Sequence, residues 1–98
     1  MAKSIMQKEK ECYICREKYD ISMQVGLECH HIFGGANRNL SEKQGLKVWL
    51  CQAHHNTAPL GVHFNYDNMK WLRERGQMKF EETHSREEFR RLFSRSYL

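Results

Sequence analysis

The stretch Leu27–Asn39, LECHHIFGGANRN, places a doubled histidine, His30-His31, just ahead of a glycine pair, Gly34-Gly35. From Met23 to Ile32 the odd positions Val25, Leu27 and Cys29 alternate with Gln24, Gly26 and Glu28, the period-two pattern of a half-buried strand. Adjacent residues on a regular strand point to opposite faces, so His30 and His31 can serve one site only where the strand twists or ends. The glycine pair permits that ending. Further on, Leu46, Val48 and Leu50 alternate with Lys47 and Trp49, which predicts a second strand ending at Cys51 and a hairpin with a long loop between.

Outward from the hairpin, QAHHNTAPLGVHFN after Cys51 predicts a short helical turn closed by Pro59 and Gly61, because proline keeps its predecessor out of the helical region. Met69, Leu72, Gly76 and Phe80 fall at spacings of three and four, one face of an amphipathic helix. Gly76 inside it costs about 1 kcal/mol against alanine, so either the helix kinks there or a neighbour packs closely. Ser85 and Glu88 form a capping-box pattern ahead of Phe89, Leu92 and Phe93, the apolar stripe of a last helix. The expected order is strand, strand, helix, helix. This is an α+β chain of one domain over 1–98: a flexible N-terminus at 1–11, a hairpin-helix core at 12–63 and a C-terminal helical extension at 64–98.

A 98-residue chain with 40% apolar residues buries only a thin core, and four cysteines with six histidines suggest how it is stapled. Cys12-Tyr-Ile-Cys15 and Cys51-Gln-Ala-His54 are C-x2-C and C-x2-H pairs. A two-residue gap lets two side chains from one tight turn reach the same ion, and zinc takes four such ligands in a tetrahedron. An all-thiolate set of Cys12, Cys15, Cys29 and Cys51 is the other arrangement. Cys29, however, lies within a strand and lacks a partner two residues away, so its simplest role is a small apolar core residue.

The polar start MAKSIMQKEKECYIC has no apolar signal region, and no run approaches the ~20 apolar residues of a membrane span, which predicts an intracellular chain with reduced thiols and no membrane partner. The net charge of +4 is mild for a nucleic-acid binder. Arg38, Lys43 and Lys47 are the basic groups nearest the histidines, as a solvated loop or as a grip on a sugar-phosphate backbone. His30, His31, His55 and His63 gather around the glycine pair and the following turn. Imidazole is the commonest neutral metal ligand and the side chain that takes a proton near pH 7.

Cys12-x2-Cys15, then Leu27-Glu-Cys-His-His-Ile-Phe-Gly-Gly, then Trp49-Leu-Cys51-x2-His54-His55 together resemble the HNH endonucleases, also called ββα-metal nucleases. The stretch HHIFGGANR and the ending FSRSYL also resemble small phage-encoded proteins of HNH type. The resemblance implies a ββα-metal core with added C-terminal helices. Cys12, Cys15, Cys51 and His54 would bind a structural Zn²⁺. His30, His55 and His63, with Asn56 as substitute for the last, would bind a catalytic divalent ion: Mn²⁺, Ni²⁺, Zn²⁺ or Mg²⁺. His31 would be the general base. The family's middle asparagine, which steadies that base, falls near Gly45 or Leu46, and Asn37 or Asn39 would supply the amide instead, Asn37 being nearer the glycine pair.

The implied activity is hydrolysis of phosphodiester bonds in DNA, as nicking or low-specificity cleavage, in the cytoplasm of a phage-infected or lysogenic bacterial host. The rival reading is a zinc-stapled nucleic-acid- or protein-binding module that kept the scaffold and lost the chemistry. A homodimer through Trp71, Phe89 and Phe93, or a phage protein partner, completes the expectations.

Overall fold

A computed structural model of the chain describes residues 2–98; Met1, which the sequence groups with a frayed terminus, lies outside them. Cys12 opens the first helix, α1 (Tyr13–Tyr19): its sulfur accepts from the Cys15 amide at the N-cap, and Asp20 ends the helix in the left-handed conformation. The hairpin follows as β1 (Glu28–His31) and β2 (Lys47–Leu50), antiparallel, with Glu28 opposite Leu50 and His31 opposite Lys47. A 3-10 turn (Gly35–Asn37) and α2 (Arg38–Lys43) occupy the loop between the strands. The chain continues through α3 (Gln52–His55), α4 (Tyr66–Phe80) and α5 (Arg86–Phe93). The α+β class and the hairpin stand, with α1 and α2 added.

The phase of the first strand differs from its sequence pattern. Residues 23–27 form no strand, with a bend at Val25 and Gly26, and Val25 is 79% exposed. Within β1, His30 is buried and Cys29 is exposed, which corrects the assignment of Cys29 to the core. The cause is register: His30 lies opposite the buried Val48, and because side chains alternate with period two, that pairing turns Cys29 and Trp49 to the other face.

Residues 4–7, expected to fray, are held along the outer edge of β2. Ser4 Oγ donates to the Lys47 carbonyl at 2.6 Å, and the Trp49 amide donates to Gln7 Oε1 at 2.7 Å. Ile5 donates its amide to the Gly45 carbonyl, and a Cβ on Gly45 would come within 2.4 Å of the Lys3 carbonyl oxygen, so only glycine lets the segment this close. These bonds satisfy an edge that would otherwise be unpaired.

The core joins the end of β1 to α4 and α5. Phe33 packs its ring against Phe93 at 4.8 Å, Tyr97 at 5.2 Å and Phe89 at 5.5 Å between centroids. Each such ring buried contributes roughly 1.5–3 kcal/mol. Gly76 lies in an unbroken α4, and a Cβ there would sit 3.2 Å from Ile32, so close packing, not a kink, accounts for the glycine. Ile32 and Phe33 follow the histidine doublet directly. Clamping them fixes where the imidazoles stand. Phe89 and Phe93 are wholly buried in this core, which removes them from any dimer face. Among the described residues no helix is long and apolar enough to cross a membrane.

Candidate metal centres and the histidine cavity

Cys12 at the start of α1, Cys15 within it, Cys51 at the end of β2 and His54 on α3 converge into one buried group whose ligand atoms all lie within 4.8 Å of one another. His54 Nδ1 stands 3.3 Å from Cys51 Sγ, 3.4 Å from Cys15 Sγ and 3.8 Å from Cys12 Sγ; Cys15 and Cys51 sulfurs are 3.9 Å apart. A zinc tetrahedron with bonds of about 2.3 Å to sulfur and about 2.0–2.1 Å to nitrogen has edges of roughly 3.5 Å (S···N) and 3.8 Å (S···S). The four residues therefore fit zinc. Burial, followed by the thiols of Cys12 and Cys51, pushes Cys15 up to about 12. Holding three sulfurs together as thiolates takes a dication.

Cys29 stands apart from this group and exposed, which excludes the all-thiolate arrangement. Cys29→Ser is expected to keep full zinc content by elemental analysis, and its urea midpoint should correspond to a change within about 0.5 kcal/mol. Loss of zinc would overturn the Cys3His assignment.

Adjacent positions on α3 serve two clusters: where His54 faces the sulfurs, His55 faces His30 and His63. One ring nitrogen from each of these three imidazoles lies within 4.8 Å of the others, and His55 Nε2 is 3.2 Å from His63 Nε2. Glu28 Oε1 accepts from His55 Nδ1 at 2.9 Å, which leaves the neutral ring's lone pair on Nε2. His30 Nε2 is buried with no hydrogen-bond partner. Burial, helped by His55 and His63, holds the His30 ring far below the usual histidine range, at about 3, and burial lowers His63 too. Both imidazoles are thereby kept in the unprotonated form that ligates. An orphaned ring nitrogen facing two others fits a divalent cation, and His63, not the exposed Asn56, supplies the third nitrogen.

A cavity of about 610 Å³ opens over this trio, lined by Cys29 to Ile32 along β1, by Gly34, Gly35 and Arg38, and by Met69 and Arg73 of α4. Residues 29–32, at and just past the end of β1, all line it, so His30 and His31 share it although side chains alternate along the strand. His31 ends β1 and takes a different partner: its Nε2 is 2.8 Å from Glu42 Oε1, and the other oxygen of Glu42 accepts from Lys47 Nζ at 2.6 Å. Lys47 first, then His31, hold Glu42 down at about 2, so it is ionised and only accepts. The proton on the bond belongs to His31 Nε2, and the neutral ring's lone pair is on Nδ1.

The remaining candidates separate. Asn37 is half-buried in the 3-10 turn and has no side-chain bond to His31; the steadying contact comes from Glu42 because the helix α2 that fills the loop brings its carboxylate beneath the ring. Arg38 is exposed and lines the cavity. Lys43 is exposed but outside the lining, and Lys47 is buried and held by Glu42, so it is not free for a phosphate. Glu28, Glu42 and Arg73 were not singled out in the sequence. Glu28 carried a signal, since it sits two positions before His30 on one face of a strand; Glu42 and Arg73 are brought in by tertiary packing. No protein-family model matches the sequence, and neither a curated protein nor a solved structure matches the chain.

Proposed function

We propose that this chain is a metal-dependent endonuclease of the HNH type, hydrolysing phosphodiester bonds in DNA with little sequence preference. One observation carries the reading: one ring nitrogen from each of three imidazoles converges in a cavity that also presents His31, a fourth imidazole already held by a carboxylate. His30, His55 and His63 would hold the cation, as the resemblance of LECHHIFGG and WLCQAHH to that family implies. A divalent ion there supplies positive charge against the phosphate oxygens that gain charge in the transition state.

The chain's own residues supply the rest. Glu42 accepts from His31 Nε2 and so keeps the ring in the tautomer whose Nδ1 can take a proton from attacking water. Glu28 aims His55 at the ion side of the cluster. Arg38, exposed in the cavity lining, would contact the sugar-phosphate backbone, a contact that positions without reading sequence. The thiolate ligands suit a reducing compartment such as the cytoplasm of a bacterial host carrying a phage, in keeping with the resemblance to small phage proteins.

Supercoiled plasmid incubated with the protein in Mn²⁺, Ni²⁺, Mg²⁺ or EDTA tests the reading. Open-circle product is expected in at least one metal and none in EDTA, alongside one tightly held zinc and a second, exchangeable ion per chain. Plasmid binding without cleavage in every metal, with only the first ion retained, would leave a zinc-stapled binding module instead.

A further inference from the structure

Among the described residues, the side-chain atoms buried without a hydrogen-bond partner are His30 Nε2 and Arg73 Nε, and both residues line the histidine cavity. Leaving such an atom unmade costs about 1–3 kcal/mol, so a site that holds two of them is built for what binds there. The two atoms ask for different things. A ring nitrogen with a lone pair is satisfied by a cation. The Nε–H of a guanidinium is a donor only, and an acceptor such as an anionic oxygen satisfies it. The cavity lining contains no aspartate or glutamate to provide one. By contrast Arg75, two positions along α4, donates to Glu17 and to Tyr13 Oη, and Arg86 is paired with Glu81.

We propose that Arg73 binds the oxyanion of the substrate: its guanidinium takes a phosphodiester oxygen beside the His30–His55–His63 cluster, making α4 of the C-terminal extension a wall of the reaction site. The inference rests on the nuclease reading for the identity of the anion, a phosphodiester, and on the cavity alone for its charge. Arg73 follows Met69 by one helical turn, and both line the cavity, so the face of α4 that meets the histidines is apolar except for this one cation. The Arg73 guanidinium also lies 5.6 Å from the Tyr97 ring, a stacking contact that holds the side chain without using its donors. A fixed guanidinium with free N–H groups matches a phosphate oxygen pair better than a mobile ammonium does. Exposed Arg38, at the mouth, grips neighbouring phosphates in this scheme; Arg73 grips the one that reacts.

The test compares full-length wild type, Arg73→Lys and Arg73→Gln in three measurements: metal content, calorimetric binding of inorganic phosphate, and kcat and KM for plasmid nicking. Both variants are expected to keep the zinc and the exchangeable ion. Arg73→Gln should bind phosphate at least 10-fold more weakly and lose about 100-fold in kcat, as removal of one oxyanion donor does. Arg73→Lys, which keeps the charge and loses the Nε donor, should recover part of the phosphate binding and little of the rate; it also serves if the glutamine variant does not fold. Nicking by Arg73→Gln within threefold of wild type overturns the inference and leaves the nuclease reading intact. Should wild type nick nothing in any metal yet bind phosphate through Arg73, the nuclease reading fails and the anion site stands. Phosphate binding indifferent to both substitutions overturns the site itself, whatever the nicking shows.

Discussion

Cys51→Ser is expected to leave the chain without a cooperative melt at 25 °C, with its far-UV circular dichroism close to that of a coil and no retained zinc. The four candidate ligands come from the start and body of α1, the end of β2 and α3, so an ion held there would tie together three elements that pack around a thin core. Structural zinc in small domains supplies about 10–16 kcal/mol of apparent binding energy at neutral pH. A domain of this kind has about 5–15 kcal/mol of total stability. Losing the ion therefore exceeds what packing can replace. Serine keeps the volume but gives no thiolate, and the remaining buried sulfurs and imidazole lose the charge that holds them together. Overnight dialysis of wild type against a strong chelator should reproduce the same spectrum, and restoring zinc should reverse it. A His55→Ala protein provides the contrast: it should lose the exchangeable ion proposed for the trio yet keep its melt within a few degrees, because the histidine trio borders an open cavity and one of its members, His63, is exposed. A Cys51→Ser chain that melts cooperatively would show that the cluster is not the staple.

The parts of this arrangement that could be read in advance are those whose physics is local in the chain. Two-residue gaps bring Cys12 to Cys15 and Cys51 to His54 within reach of one ion in any compact turn, and the cluster follows them. Ser85 accepts from the Glu88 amide at 3.1 Å, as its capping pattern requires, and β2 forms within the segment Leu46 to Leu50, although Lys47 on its outward phase is buried against Glu42. The start of β1 departs from the sequence pattern because Val25, Leu27 and Cys29 alternate as a strand does, while the pairing with β2 that selects the inward phase is a property of two segments. The helix α2 is six residues long with no side-chain cap, so nothing in its sequence announces it; buried Ser41, bonded to Phe33 and Leu46 across the loop, holds it in place. Its Glu42 reaches His31 from eleven positions away, and Arg73 reaches the cavity from another helix altogether. Both contacts are tertiary facts: the sequence offers Asn37 in the loop, and the structure brings the carboxylate of Glu42 to the His31 ring.

His31→Ala should lower the rate of plasmid nicking by 10²- to 10⁴-fold, the range over which a positioned general base acts, while both metals and plasmid affinity stay at wild-type levels. The separation between rate and metal content is what makes the prediction specific. His31 is not among the three imidazoles whose nitrogens converge, and its ring is bonded to Glu42, so removing it takes a proton acceptor and no ligand from the site. Glu42→Gln sharpens the point. The carboxylate now accepts from His31 Nε2 with one oxygen and from Lys47 Nζ with the other. A glutamine amide has one oxygen and one NH₂ group for these two donors, so it must face a donor with a donor on one side. If the NH₂ turns to His31, the ring is driven to the tautomer with its proton on Nδ1, where the attacking water would need a lone pair; if it turns to Lys47, the buried ammonium loses its ion pair with Glu42. Either way nicking falls with both metals retained, and nitrogen-15 spectra of the imidazole separate the two cases by reporting which ring nitrogen carries hydrogen. Full activity in His31→Ala would move the base elsewhere in the cavity. A loss of activity accompanied by loss of the exchangeable ion would make His31 a ligand, and the division of labour between the doubled histidines would have to be reversed.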